Sequence, residues 1–323
     1  MLYPLKFKPI LKERIWGGRK LSQVLHKKGD FSKPTGESWE ISGVAGDESV
    51  VSNGFLAGNT LAELLEIYMG DLVGDAVYDR YGNDFPLLFK FIDANDNLSI
   101  QVHPDDETAT ERHNCFGKTE IWYIIDAEPD AQLISGFCTE TDKEKYLQYL
   151  ENKSLSSLLN KEKVRKGDAI FIPAGHVHSI GKGILLAEVQ QSSDITYRIY
   201  DYDRTDAQGN TRELQVEQAL DVINFSPSCD TKIVYKNRQN DSSEIVKSEF
   251  FTVNKLCFDR PLLRDYAQND SFVVYMCVQG ACRVNYKGGE ETLQMGESIL
   301  IPAEIDEIEL LPDVQTELLE VYV

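Results

Sequence analysis

The sequence predicts a mostly β protein made of two copies of one strand-rich unit, with helical insertions confined to the first. Three observations predict it. Short apolar or alternating runs, separated by Gly and Pro, recur along the chain. The helical period appears only in islands before residue 236, and strand signals alone follow. The third is an internal echo: Gly296-Glu297-Ser298-Ile299-Leu300-Ile301-Pro302-Ala303 repeats Gly167-Asp168-Ala169-Ile170-Phe171-Ile172-Pro173-Ala174 at an offset of 129 residues (296 − 167). In both copies a turn feeds an apolar strand that Pro terminates, so the same supersecondary unit appears twice. Lys236 to Glu244 contains no apolar residue and reads as the linker, giving an expected division into 1–235 and 236–323.

Taken in order, residues 1–56 read as short strands and turns, broken by Gly17-Gly18, Gly29, Gly36 and Gly43-Val44-Ala45-Gly46. Here Trp16 and Trp39 each stand beside charge and a Gly, as core packing or as a pocket wall. Asn59 to Tyr81 turns helical, with Leu61, Leu64, Leu65 and Tyr68 on one face and Thr60-x-x-Glu63 as a capping box. Phe85 to Phe91 is apolar and precedes the alternating Leu98 to His103. Asp105 to His113 reads as a short helix or loop. A helix is expected over Thr141 to Leu150, capped by Thr141-x-x-Glu144, with Ser154 to Asn160 as a further short helix. Strands return from Gly167 to Tyr202, and Glu213 to Ile223 is helical, with Leu214, Val216, Ala219, Leu220 and Ile223 apolar.

A chain of 323 residues, 42% hydrophobic, can bury a substantial core and favours two domains over one. The net charge of −20 disfavours nucleic acid and anionic membrane as partners, since both require a basic surface. An anionic small substrate would need a local cationic pocket. No apolar run reaches eighteen residues, and Met1-Leu2-Tyr3-Pro4-Leu5-Lys6 lacks a signal-peptide pattern, so a soluble cytoplasmic protein is expected. Cys115, Cys138, Cys229, Cys257, Cys277 and Cys282 show no paired CxxC spacing. They are expected to be reduced packing residues rather than a disulfide framework or cysteine zinc site.

The motifs that carry chemistry lie between Asp93 and Ser179. Gln101 and His103 are two apart in a strand-like segment, so both side chains leave one face, about 6–7 Å apart at their roots. Glu120 opens a second strand-like run and His178 closes a third after Pro173-Ala174-Gly175. The reading is a metal site of Gln101, His103, Glu120 and His178. His176 shares a face with His178 if the strand is regular. His178 is preferred because the turn after Pro173 makes the earlier position less regular, leaving His176 as a neighbour or pocket wall. His26 and His113 lie in charged stretches and are taken as surface residues. Two imidazoles, a carboxylate and an amide oxygen suit zinc, with iron(II), manganese and cobalt as alternatives. In the second copy Ile305 and Glu307 replace His176 and His178, and no His follows, so that copy cannot build the same site.

Gly-Asp-x-x-x-Ile-Pro-Ala-Gly-x-x-His resembles the second cupin motif, which implies a jelly roll for each unit. A longer string is more specific: Leu98 to Asp105, Gly117-Lys118-Thr119-Glu120, Pro173 to His178, and Glu188 to Arg204. It resembles the short bacterial form of type I mannose-6-phosphate isomerase over nearly the whole chain. The resemblance implies one zinc held by Gln101, His103, Glu120 and His178, and an active-site role for Arg198, with Ser99, Lys118 and Glu188 lining the pocket. Trp16 and Glu37 match the family's N-terminal pocket residues more loosely. Arg204 stands where long eukaryotic members tend to carry Lys.

An aldose–ketose isomerase moves a proton between C2 and C1 through an enediol, which needs an electrophile and a base. Zinc suits the first role, and Glu188 or Lys118 the second. Arg198 and Arg204 are candidate phosphate anchors. If the chain between them were extended their Cα atoms would lie about 20 Å apart, so both reach one phosphate only if it bends. The alternative for Arg204 is a salt bridge to Asp201, Asp203 or Asp206. The rival functions are another cupin metalloenzyme, such as an iron dioxygenase, and a non-catalytic sugar-binding protein.

Overall fold

The computed structural model describes every residue except 206–208 and 229–230, so Asp206 and Cys229 lie outside the described residues. The first half contains β1 (Ile10–Gly18), β2 (Thr35–Ile41), β3 (Leu87–Ala94), β4 (Ile100–Val102), β5 (Glu120–Ala127), β6 (Gln132–Phe137), β7 (Leu159–Lys163), β8 (Ala169–Ile172), β9 (His178–Ser179), β10 (Ile184–Gln191) and β11 (Tyr197–Tyr200). They form one sheet in the order β1-β2-β3-β10-β5-β8 and a second in the order β11-β4-β9-β6-β7. The second half contains β12 (Asp241–Lys247), β13 (Thr252–Phe258), β14 (Leu262–Asp265), β15 (Val273–Gln279), β16 (Ala281–Tyr286), β17 (Gly289–Gln294), β18 (Ser298–Ile301), β19 (Glu307–Pro312) and β20 (Thr316–Tyr322). Its sheets run β12-β13-β20-β15-β18 and β14-β19-β16-β17. The chain is thus mostly β, two jelly-roll barrels with a few helices inserted in the first.

The echo read from the sequence is a structural repeat. β8 and β18 are each four residues long, each follows a glycine with positive φ (Gly167 at 88°, Gly296 at 86°), and each pairs antiparallel with its neighbour, β5 or β15. Inside the first barrel Ile92, Trp122, Leu133, Ile170 and Leu186 pack the two sheets together. Leu256, Tyr275, Val284, Ile299 and Leu310 do so in the second. The opposite faces of β3, β5 and β10 meet β13, β15 and β20 through Phe89, Phe91, Tyr123, Val253, Val274 and Leu319. Strands buried on both faces read as continuous apolar runs. The N-terminus joins this seam, since Leu5 and Leu300 exchange backbone hydrogen bonds of 2.7 and 2.9 Å.

Several local expectations need adjustment. The helix over 59–81 is two, kinked at Met69 and separated by Gly74 at φ 96°; with α1 (Lys20–Gln23) before them, they are α2 (Leu61–Val73) and α3 (Asp75–Tyr81). A side chain at Gly74 would meet the Asp270 carbonyl oxygen at 2.4 Å, and the Asp270 carboxylate accepts from Asp75 N (2.7 Å) and Ala76 N (2.9 Å). The second barrel therefore caps a helix of the first. Thr60 and Glu63 form the full capping box. Asp106–His113 is a helix, α4, capped by Asp105. The next helix, α5 (Lys143–Glu151), is capped by Asp142 rather than Thr141, whose hydroxyl instead donates to Thr139 O at 2.9 Å. The short helix expected over Ser154 to Asn160 is limited to one 3-10 turn, Leu155–Ser157, because the chain enters β7 at Leu159. The last helix, α6 (Val216–Val222), starts three residues later than expected because Glu213 and Gln215 bond to Arg198. Half of the linker stretch is strand, since β12 begins at Asp241 and pairs with β13 as an edge whose polar side chains suit solvent.

Cys257, Cys277 and Cys282 are buried, Cys115 is half-buried and Cys138 exposed, and none of these five forms a disulfide. Among the described residues no helix is long and apolar enough to cross a membrane.

Candidate active site

β4 delivers Gln101, and the residue just past its end is His103. Gln101 lies directly opposite His178 on β9 and Arg198 on β11, while Glu120 is the first residue of β5. The imidazole nitrogens of His103 and His178 and a carboxylate oxygen of Glu120 all lie within 4.8 Å of one another, with all three residues buried. Glu120 Oε1 is 3.4 Å from His178 Nε2, and Glu120 Oε2 is 3.7 Å from His103 Nε2. Gln101 closes the group, its amide 3.3 Å from His178 Nε2. Turning that amide exchanges its oxygen and nitrogen without moving the side chain, and so presents an oxygen to the same point.

Each imidazole is oriented from behind. His103 Nδ1 is 2.9 Å from the Ile195 carbonyl and His178 Nδ1 2.7 Å from the His176 carbonyl, so each Nδ1 carries the proton and Nε2 offers its lone pair forward. Burial, with the Lys118 charge nearby, holds His103 well below the usual imidazole value, and burial lowers His178 to about 3. Both are therefore neutral, the form that binds metal. Burial pushes Glu120 up to about 7 against the pull of Lys118, whose Nζ lies 3.3 Å from Oε2. His103 Nε2 and both Glu120 oxygens are buried without a hydrogen-bond partner. Unpartnered buried polar atoms are costly, and three converging on one point fit a cation. His176 is directed elsewhere, to Ser135 Oγ at 2.8 Å.

Beside this cluster opens a cavity of about 510 Å³, lined by Trp16, Glu37, Ser99, Gln101, Lys118, Glu188 and Arg198, among others. Arg204 is not in the lining. The chain does bend between the two arginines, at Tyr202 and Asp203 with φ of 58° and 52°, but the bend sends Arg204 to Asp201 and the Asn97 carbonyl. The salt bridge expected as the alternative for Arg204 is present, to Asp201, while Asp203 pairs instead with Lys153 at 3.1 Å.

The lining holds three cations to which the sequence reading gives no site role, Arg14, Lys90 and Arg212, and two further carboxylates, Glu13 and Asp194. Lys90 is 4% exposed and donates to Glu188 Oε1 (3.0 Å) and Gln190 Oε1. Trp122 Nε1 donates to the other Glu188 oxygen at 2.9 Å. Arg14 grips Glu37 with two N–H donors at 2.8 and 3.2 Å, and Trp39 Nε1 adds a third bond at 2.7 Å. Burial alone would raise Glu37, but Lys90 and Arg14 outweigh it and hold the carboxyl below its ordinary range. The signal that could have found Lys90 is its place as a lone charge in the apolar run Leu87 to Ile92.

With this geometry in view, comparison with known proteins decides the family. The description "Phosphomannose isomerase type I, catalytic domain" matches residues 4–132, and "Mannose-6-phosphate isomerase, cupin domain" matches residues 241–322. The chain is 38% identical to mannose-6-phosphate isomerase ManA of Bacillus subtilis (strain 168), over 95% of each chain. It belongs to the type I phosphomannose isomerase family. Mannose-6-phosphate isomerase of Streptococcus mutans is 36% identical, over 94% of this chain and 93% of that one. The crystal structure of mannose 6-phosphate isomerase from Bacillus subtilis superposes with a TM-score of 0.89 at 32% identity, covering all of both chains.

Proposed function

We propose that the chain interconverts mannose 6-phosphate and fructose 6-phosphate in the cavity beside His103, Glu120 and His178, with zinc held by those three residues and Gln101. The observation that carries this reading is the set of three unpartnered buried ligand atoms opening beside a polar cavity. Zinc at that point would supply Lewis acidity for the substrate's C1 and C2 oxygens.

The protein's own groups do the rest. A base removes the C2 proton of the open-chain aldose to give an enediol and returns a proton to C1, while a proton moves from O2 to O1. Glu188 and Lys118 both line the cavity and are the two candidates for that transfer. Glu188 is fixed by Lys90 and Trp122, so its orientation is set before substrate arrives. Trp16, Glu37 and Ser99 also line the cavity, with Glu37 held by Arg14 and Ser99 beside the Gln101 amide. We read residues 1–235 as the catalytic unit, 236–323 as a metal-free cupin, and the cytoplasm as the place of action.

A coupled isomerase assay with and without chelator tests the reading. His103→Ala should lose metal and activity together, whereas Arg198→Ala should keep metal and lose turnover. Wild-type activity with full zinc in the His103 variant would overturn the ligand assignment. Iron with oxygen consumption in protein purified without added metal, or tight sugar-phosphate binding with no conversion, would overturn the isomerase assignment.

A further inference from the structure

The cations around the cavity are not equally matched. Arg14 faces Glu37, Lys90 faces Glu188 and Lys118 faces Glu120, each at 3.3 Å or less. Arg198 and Arg212 differ. Arg198 donates Nη1 to the Glu213 carbonyl at 3.0 Å, and its Nε is buried with no hydrogen-bond partner. Among the described residues the contact of Arg212 with a carboxylate is a long one, Nη1 to Asp201 Oδ1 at 3.5 Å, and Arg204 already engages that same oxygen more closely.

A returning loop brings the two arginines together. After β11 the chain leaves the sheet, Thr205 and Thr211 bridge, and the returning segment is tied to Arg198. Gln215 N donates to Arg198 O at 2.8 Å, and Arg198 N donates to Gln215 Oε1 at 3.0 Å. Arg212 is thereby set on the cavity wall with Arg198. Burial lowers both guanidinium groups from their ordinary value, and the positive charge of Arg198 lowers Arg212 further. Two half-buried like charges facing one cavity are stabilised when an anion joins them, and guanidinium N–H groups match phosphate oxygens bidentately.

We infer that Arg212, acting with Arg198, anchors the phosphoryl group of the substrate. The inference rests on the sugar-phosphate isomerase reading and adds to it a residue in the returning loop. Binding there needs no movement of Arg204, which stays with Asp201 and the Asn97 carbonyl.

The test uses the zinc-loaded full chain, with KM for mannose 6-phosphate and the inhibition constant of inorganic phosphate as readouts. Arg212→Ala is expected to raise both about ten- to a hundredfold, the usual range for losing a charge-assisted bond, with most of the loss in KM rather than kcat. Arg212→Lys should recover part of both. Arg212→Gln keeps a donor for Asp201 but loses the charge, so it should behave like the alanine variant. A glutamine variant with wild-type KM and phosphate inhibition would overturn the proposal and assign Arg212 a purely structural contact. The proposal falls equally if Arg212→Ala, with zinc content and thermal midpoint intact, leaves both constants unchanged while the wild type turns over. Failure of the wild type itself to isomerise the substrate would instead overturn the underlying reading.

Discussion

Lys90→Met should be among the most damaging single changes to this protein, although Lys90 touches no predicted metal ligand. Its ammonium is buried 3.0 Å from Glu188 Oε1, bonds Gln190 Oε1, and lies 5.1 Å from the centre of the Trp39 ring. At an effective dielectric constant near 20, one charge pair at that distance is worth about 5–6 kcal/mol, from which the desolvation of the ammonium must be subtracted. Glu37 also draws on the Lys90 charge, but it keeps Arg14 when Lys90 is removed. The expected cost is therefore that of breaking one buried pair, about 3–5 kcal/mol at pH 7, because Glu188 is left buried without its counter-charge. Methionine keeps the length of the stem, so a cavity contributes little. The assay is urea unfolding of the zinc-saturated protein in a double-mutant cycle with Glu188→Gln. Neutralising Glu188 in the Lys90→Met background should recover about 2 kcal/mol or more of the loss, since contacting residues of one network are not additive. A cost under about 1 kcal/mol, or additive single effects, would refute Lys90 as the counter-charge that holds Glu188.

Three further outcomes are expected. Chelation should abolish turnover and lower the thermal midpoint, and free zinc at a thousand times its dissociation constant should restore about 4 kcal/mol of stability, read by differential scanning calorimetry; an unchanged midpoint would count against an ion at the three orphaned atoms. Gly36→Ala should cost about 1–3 kcal/mol by overpacking and also raise KM, because the new methyl would sit 2.4 Å from the Trp16 ring and displace a cavity wall; stability curves and initial rates check both parts. Glu37→Gln should destabilise the protein at pH 7, and the gap from wild type should narrow on acidification: the folded carboxyl is held low, so its contribution is present above the unfolded value of about 4.3 and is lost as pH falls through the folded one. Unfolding curves at pH 7, 5 and 3.5 test the sign, and a gap that widens in acid would contradict it.

What could be read from the chain, and what could not, follows from the range of the interactions involved. Gln101 and His103 share a face because strand periodicity is local, and the repeat at 167 and 296 is visible because each copy is one contiguous turn and strand. That Gln101 and His103 leave one segment together was legible for that reason, whereas Glu120 and His178 join them from two other strands, a meeting that only the sheet order produces. Helix ends were less legible. Thr141 and Asp142 both suit a cap, and only the Thr139 carbonyl, by engaging the threonine hydroxyl, decides between them. Gly74 splits a continuous helical pattern because the second barrel supplies Asp270 at that point, a partner 195 residues away from Asp75. Arg212 had no signal at all. Its place on the cavity wall depends on a loop returning to β11, which periodicity and spacing cannot report.

The two barrels also explain why one of them can hold chemistry. Glu188 pairs across its sheet with Lys90 and Trp122, and in the second barrel Glu320 pairs in the same way with Asn254 and Tyr275. The equivalent position thus keeps a buried carboxylate in both. In the second barrel Glu320 receives hydrogen bonds from Asn254, Arg264, Tyr266 and Tyr275, which meet its needs from within the protein. In the first, the carboxylate has Lys90, and Trp122 donates to its far oxygen, while the atoms of His103 and Glu120 nearby are left unpartnered and face a cavity. Buried polar groups that satisfy one another make a rigid core, and those left incomplete need an outside partner. The same scaffold therefore yields a closed polar core in one copy and, in the other, a cavity bordered by buried atoms that the protein itself leaves unpartnered. The difference lies less in the strands than in whether the side chains between them complete their own hydrogen bonds.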